Sequence, residues 1–204
     1  MLILKKLAIT GTISSGKSSV TSIFKDLGAY IVSADEIVHR LMSLETQVGQ
    51  KIVELIGPDI LTNNSIDRRK VAAKVFQDPH LLDSLEKLLH PEVLKIVRQE
   101  YELACSEEKY TLFVAEVPLL FESEESFGFQ NYFDLTLTVD ADPSLRLQRF
   151  IESTGYDEKE FERRSARQFT AEYKCQKADI VLINNAGEKE LRESVSVLFD
   201  QICK

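Results

Sequence analysis

A chain of 204 residues, 44% hydrophobic and 28% charged, can bury a real core as one domain or as one domain carrying a substantial insertion. Its formal charge of −8 excludes broad electrostatic capture of nucleic acid, so a polyphosphate ligand must be met by cations gathered locally. Cys105, Cys175 and Cys203 are unclustered and form no CxxC pair, which argues for reduced thiols and against a disulfide framework or a structural zinc.

The apolar runs 2–4 and 7–9 predict a buried first strand, and Val20, Ile23, Phe24 and Leu27 predict a helix over 18–27. Between them the segment GTISSGKS at 11–18 matches the whole G-x-x-x-x-G-K-[ST] phosphate-binding loop. A strand, a tight loop and a helix start in that order aim successive backbone N–H groups and a helix N-terminus at one spot, which suits a polyphosphate. The expected nucleotide contacts are Gly11, Thr12, Ile13, Ser14, Ser15 and Gly16, with Ser19 just beyond. Lys17 is expected to reach the β- and γ-phosphates and Ser18 to offer its hydroxyl to Mg²⁺. The apolar start at 1–9 is too short for a spanning helix and lacks a signal-peptide layout, so the expectation is a cytoplasmic protein with no membrane partner.

Gly28 suits a helix C-cap, and 29–32 predicts a second buried strand that runs into Ser33, Ala34 and Asp35 at a helix start. From 37 to 105 the pattern is helical. Val48, Ile52, Val53 and Ile56 make one stripe, Asp67 caps the next helix, Pro79 opens another and Pro91 interrupts it. Strands are predicted at 110–115, 133–139 and 178–183, with helices at 145–151, 157–174 and 191–202. The alternation argues an α/β fold with a five-stranded parallel sheet flanked by helices, and in such sheets ligands bind beyond the carboxyl ends of the strands.

Five stretches carry a resemblance. They are TGTISSGKS at 10–18, SADEIVH at 33–39, LHPEV at 89–93, VPLLFE at 117–122, and Gln168 followed by Ala178, Asp179 and Asn184. In this order, over nearly the whole chain, they resemble dephospho-CoA kinase. The resemblance implies a P-loop kinase fold with a helical substrate-domain insertion and a helical lid. It also implies ATP-dependent phosphorylation of the ribose 3′-hydroxyl of dephospho-CoA, the last step of coenzyme A synthesis. The layout that follows is a nucleotide-binding core at 1–36, 106–148 and 176–204, a substrate domain at 37–105 and a lid at 149–175. ATP and Mg²⁺ are the expected cofactors, dephospho-CoA the partner, nucleic acid is not one, and the expected assembly is a monomer or weak homo-oligomer.

Each segment has a chemical role in that reading. A hydroxyl attacking a γ-phosphate needs a carboxylate to orient it and take its proton, and Asp35 is the candidate, compatible with a capping role. Glu116 closes the third strand, where a carboxylate either holds Mg²⁺ through water or is a plain strand end. His90 packs or caps within an apolar helix, and the resemblance turns it toward a substrate contact. Pro118, Leu119, Leu120 and Phe121 form either core or an apolar shelf beside the acceptor, with Glu122 as its polar end. Arg149 falls on the family's lid arginine, Arg164 is second, and Asn184 lies where an adenine-reading loop belongs or forms a turn.

Three departures from the family stand out. Thr12 replaces a usual Gly, Ser33 a usual Asp, and Ser153 a usual lid Arg, so either Arg146 or Arg163 substitutes for that cation or the lid contributes less. Other readings are a kinase of another small acceptor (a nucleoside monophosphate or shikimate) and a catalytically silent nucleotide-binding module. A regulatory GTPase would need Asn-Lys-x-Asp and Asp-x-x-Gly, and neither occurs.

Overall fold

The computed structural model of the chain describes residues 3–123 and 128–204; Leu2, in the predicted first-strand run, lies outside the described residues. In chain order the elements are β1 (Lys5–Gly11), α1 (Lys17–Asp26), β2 (Ala29–Ser33), α2 (Ala34–Leu41), α3 (Gln47–Ile56), β3 (Leu61–Thr62), β4 (Ser65–Ile66), α4 (Arg68–Val75) and α5 (Pro79–Ser106). They continue as β5 (Leu112–Glu116), β6 (Leu135–Asp140), α6 (Pro143–Thr154), α7 (Glu158–Ser165), α8 (Ala171–Lys177), β7 (Ile180–Ile183) and α9 (Glu188–Cys203). Two compact units result, one comprising the chain up to Ser33 together with Glu100–Lys204, the other Ala34–Gln99. No described helix is long and apolar enough to cross a membrane.

The first unit holds a five-stranded parallel sheet in the order β2-β5-β1-β6-β7. Its centre is β1, buried from Leu7 to Gly11, as a parallel strand covered on both faces must be. Leu7 and Ile9 pack on one face with Val20 and Phe24 of α1 and Leu191 and Val195 of α9. The opposite face is polar toward its carboxyl end, where Thr10 and Thr138 pair in register and both are fully buried. Strand β1 starts at Lys5, past Ile3, which stands exposed, and Leu4, which is buried. The two lysines are accommodated because Lys5 Nζ donates to Ile202 O at 2.6 Å and the Lys6 ammonium lies over the rings of Tyr132 and Tyr101.

The later strands also start about two residues inside their predicted limits. Tyr110 turns edge-on to Tyr30, and Phe133 joins Phe129 and Tyr132 in an aromatic corner. Ahead of β7, the Asp179 carboxylate takes hydrogen bonds from both N and Oγ1 of Thr136 and so ties β6 to the incoming strand. The polar stretch at 157–174 is two helices, not one. Asp157 caps α7 and Thr170 caps α8, and the corner between them spends its polar groups elsewhere, as described below.

The second unit is mostly helical, with Asp67 capping α4 through the N–H groups of Arg69 and Lys70. Two features depart from expectation. A small hairpin joins β3 to β4 through Asn63 and Asn64, both at positive φ (50° and 58°), the two-residue turn that an Asn pair favours. And Pro91 does not interrupt its helix: α5 runs through it for 28 residues. Interior proline costs about 3 kcal/mol. Here Leu85, Leu89, Val93 and Val97 form an unbroken buried stripe across it, and burial of four such side chains at about 1.5–3 kcal/mol each outweighs that cost.

Candidate active site

The carboxyl ends of β1, β5 and β6 and the turn after the edge strand β7 supply Gly11, Glu116, Asp140 and Asn184 on the same side of the sheet. After β1 the chain turns sharply, with Gly11 at φ 148°, Ser14 at 56° and Gly16 at 96°. A Cβ on Gly11 would lie 2.2 Å from Val139 O, and one on Gly16 would lie 2.1 Å from the Asn184 amide nitrogen. Both positions therefore demand glycine by space as well as by backbone angle. Lys17 opens α1, and its Nζ donates to the carbonyls of Gly11 (3.1 Å) and Thr12 (2.8 Å), so the cation lies across the loop that a polyphosphate would fill. Ser15 is fully buried, while Ser18 and Ser19 are exposed on the first turn of α1.

The rim of the loop is fixed from outside. Gln168 Oε1 accepts the Ile13 N–H at 2.9 Å, and Thr12 Oγ1 donates to Asp140 at 3.3 Å. Thr12 is thus tied to the end of β6. Glu116, in register with Ile9 of β1 and Ser33 of β2, takes long hydrogen bonds from Ser18 (3.5 Å) and Thr21 (3.4 Å). A hydroxyl and a carboxylate at this separation are hard oxygen donors, the set Mg²⁺ accepts alongside water and phosphate oxygens.

Arg149 and Asn184 close the other side. Asn184 is buried and donates from Nδ2 to Ser15 O at 2.9 Å; Arg149 Nη2 donates to Asn184 O at 3.1 Å. Arg149 Nη1 is buried and, among the described residues, has no hydrogen-bond partner. Leaving such a donor unmet costs about 1–3 kcal/mol, more for a charged group, and an anion beside it would recover that. An open cavity of about 580 Å³ adjoins this point, lined by Gly16, Ser19, Arg149, Asn184 and Gly187 among others.

Arg163, Arg164 and Arg146 have partners within the protein. Arg163 grips both Glu160 oxygens at 2.6 Å, and Arg164 donates to Glu160 at 2.7 Å while lying over Phe150 and Tyr156. The two guanidinium groups hold the Glu160 carboxyl down to about 2. Arg146 donates from Nε to Ala141 O at 3.0 Å and stands 4.0 Å from Asp140, the residue that receives Thr12. Ser153 Oγ donates back to Arg149 O and Phe150 O within its own helix.

Of the predicted acceptor shelf, Leu120 and Phe121 are buried in the core and Leu119 is 45% exposed. Glu122 accepts from Phe169 N at 2.8 Å and from Lys174 Nζ at 2.9 Å. Lys174 is fully buried and also donates to Pro118 O at 2.8 Å. Burial pushes its ammonium pKa down and Glu122 opposes that shift. In the second unit, Asp35 is exposed on the first turn of α2, and His90 lies on α5, where burial pushes its imidazole below the ordinary value.

The structure thus gathers the phosphate loop, Glu116, Arg149 and Asn184 at one place, and turns Arg164 to Glu160. Sequence reading passed over Asp140, Thr21 and Lys174. Asp140 carries a usable signal, being the carboxylate that ends a strand. Lys174 carries none, since it reads as one more charge in a polar stretch.

Comparison with known proteins gives a consistent picture. A family model described as dephospho-CoA kinase matches residues 6–190. A dephospho-CoA kinase of Protochlamydia amoebophila is 47% identical over 203 residues, covering 99% of this chain and 98% of its own length. Among solved structures, that of TT1252 from Thermus thermophilus is similar with a TM-score of 0.84 and 28% identity over 98% of each chain. A dephospho-CoA kinase from Campylobacter jejuni has the same fold, with a TM-score of 0.70 at 24% identity over 97% of this chain and 96% of its own.

Proposed function

This chain belongs to the dephospho-CoA kinase family, and from that premise we propose how its residues divide the work of making coenzyme A from dephospho-CoA and ATP. The acceptor's 3′-oxygen attacks the γ-phosphorus, the bond from that phosphorus to ADP breaks, and the hydroxyl proton passes to Asp35. The backbone N–H groups of the 11–18 loop and the N-terminus of α1 hold the polyphosphate. Lys17 exchanges the carbonyls of Gly11 and Thr12 for phosphate oxygens.

Arg149 is the lid cation. The observation that carries this reading is its buried, unpartnered Nη1 beside Gly16, next to a complete phosphate loop. The cavity past Asn184 takes the nucleoside of ATP. Arg146, linked to the loop through Asp140 and Thr12, is the cation that compensates for Ser153. Ser18 and Glu116 would hold Mg²⁺, which supplies charge neutralisation on the transferred phosphoryl group. The helical block at 37–105, with His90, is the substrate domain, and in the first unit the Pro118–Glu122 turn is an acceptor contact. Residues 149–175 form the lid, and the enzyme works in the cytoplasm.

The experiment is ATP-to-ADP conversion with Mg²⁺ in the presence of dephospho-CoA, AMP, CMP, shikimate or no acceptor. ADP release that depends on dephospho-CoA, with coenzyme A appearing in step, is the expected result. Turnover with another acceptor alone would overturn the substrate, and ATP binding without turnover on any acceptor would leave a silent module.

A further inference from the structure

Beneath the carboxyl ends of β1 and β6 lies a buried polar unit that the reaction as described does not use. Lys174 has no exposed surface, yet its ammonium bridges Pro118 O (2.8 Å) and Glu122 (2.9 Å), the two ends of the Pro118–Glu122 turn. The facing threonines complete it. Thr10 Oγ1 donates to Pro118 O at 3.0 Å and Thr138 Oγ1 to Lys174 O at 3.1 Å, and the two lie opposite each other in strand register. Glu122 further receives Phe169 N, and the neighbouring Gln168 receives Ile13 N of the phosphate loop. Two hydrogen bonds made by the neighbouring residues Gln168 and Phe169 therefore tie the α7–α8 corner to both the phosphate loop and the acceptor turn.

Stability is a poor explanation for such a unit, because a well-packed apolar substitute for a buried ion pair is often as stable or more so. What the pair does supply is direction: it fixes a carbonyl and a carboxylate at two ends of one turn while leaving Leu119 exposed at its apex. We infer that Lys174 is a positioning residue for phosphoryl transfer, which sets the Pro118–Glu122 turn against the phosphate loop through Glu122, Phe169 and Gln168. The inference rests on the reading of that turn as an acceptor contact. Lys174 touches neither substrate.

The test is steady-state kinetics of the full chain carrying Lys174→Met, with Leu119→Ala alongside, each corrected for active fraction and accompanied by a melting curve. We expect Lys174→Met to raise the KM for dephospho-CoA by about tenfold or more and to leave the KM for ATP within about twofold, as a displaced substrate contact does. A lower melting temperature with both KM values unchanged would make the pair purely structural and overturn the inference. A shift with Leu119→Ala but not with Lys174→Met would overturn it while the acceptor turn stands. If neither variant moves the KM for dephospho-CoA, the turn is not an acceptor contact and the assignment beneath the inference falls with it. Should Lys174→Met fail to fold, Thr10→Val decides. It removes only the second donor to Pro118 O, and an unchanged KM for dephospho-CoA there would overturn the inference, whereas a rise of about threefold supports it.

Discussion

The Asn184 side chain donates to Ser15 O at 2.9 Å across 169 residues of sequence, and its amide nitrogen occupies the space that a side chain on Gly16 would need. The loop after β7 thereby helps to shape the phosphate loop after β1. Gly16→Ala meets both a φ of 96° and this amide 2.1 Å from the new Cβ. The left-handed backbone alone costs about 1–2 kcal/mol, and relieving the clash breaks the Ser15 bond. We expect a loss of nucleotide affinity of tenfold or more, on the order of 1.4 kcal/mol, measured by titration calorimetry with ATP. Asn184→Ala in the Gly16→Ala background should recover part of it.

Arg149 brings a planar fork with one arm on Asn184 O and the other buried with no hydrogen-bond partner among the described residues. Arg149→Lys keeps the charge and loses the fork, so it should lower kcat by about 10²-fold, the scale of one lost charge-stabilising donor. Arg164→Ala should matter less to turnover and more to the packing of α6 and α7, since its guanidinium is committed to Glu160, Phe150 and Tyr156. Comparing kcat for the two variants checks this ordering. Equal losses would overturn it.

Lys17 and Asp35 should separate binding from chemistry. Lys17→Ala removes the only side-chain cation of the 11–18 loop and should raise the KM for ATP and lower kcat together. Asp35→Asn should leave ATP affinity within about twofold and lower kcat by about 10²–10⁴-fold, the range for a lost general base. An Asp35→Asn enzyme with near-normal kcat would refute the assignment of the base.

His90 gives the chain a predictable acid weakness. Burial holds its folded pKa below the ordinary value of 6.5, so the unfolded chain takes up a proton that the folded chain refuses. The sign follows directly: the contribution to stability is complete above pH 6.5 and is lost as pH falls from there through the depressed folded value. Melting temperatures measured between about pH 7.5 and about pH 5.5 should fall less steeply for His90→Gln than for the parent chain. Parallel curves would show that His90 carries no such penalty.

What the sequence determined by itself is what depends on near neighbours. The phosphate loop, the Asp67 cap, the Gly155 helix end and the alternation of strand and helix are all legible, because their hydrogen bonds and backbone angles are settled within a few residues. The Asn63–Asn64 hairpin was legible on the same terms and was passed over. The tertiary structure decided which long side chain meets which partner. Five arginines between 146 and 167 look alike in the sequence, yet Arg149 has a buried free donor at the loop while Arg163 and Arg164 are bound to Glu160. Pro91 reads as a break until the buried stripe from Leu85 to Val97 is seen to run through it. Lys174 reads as solvated until β1, β6 and the Pro118–Glu122 turn enclose it. A charged side chain's role is set by its desolvation and its partners, and both come from segments that the chain brings together only on folding.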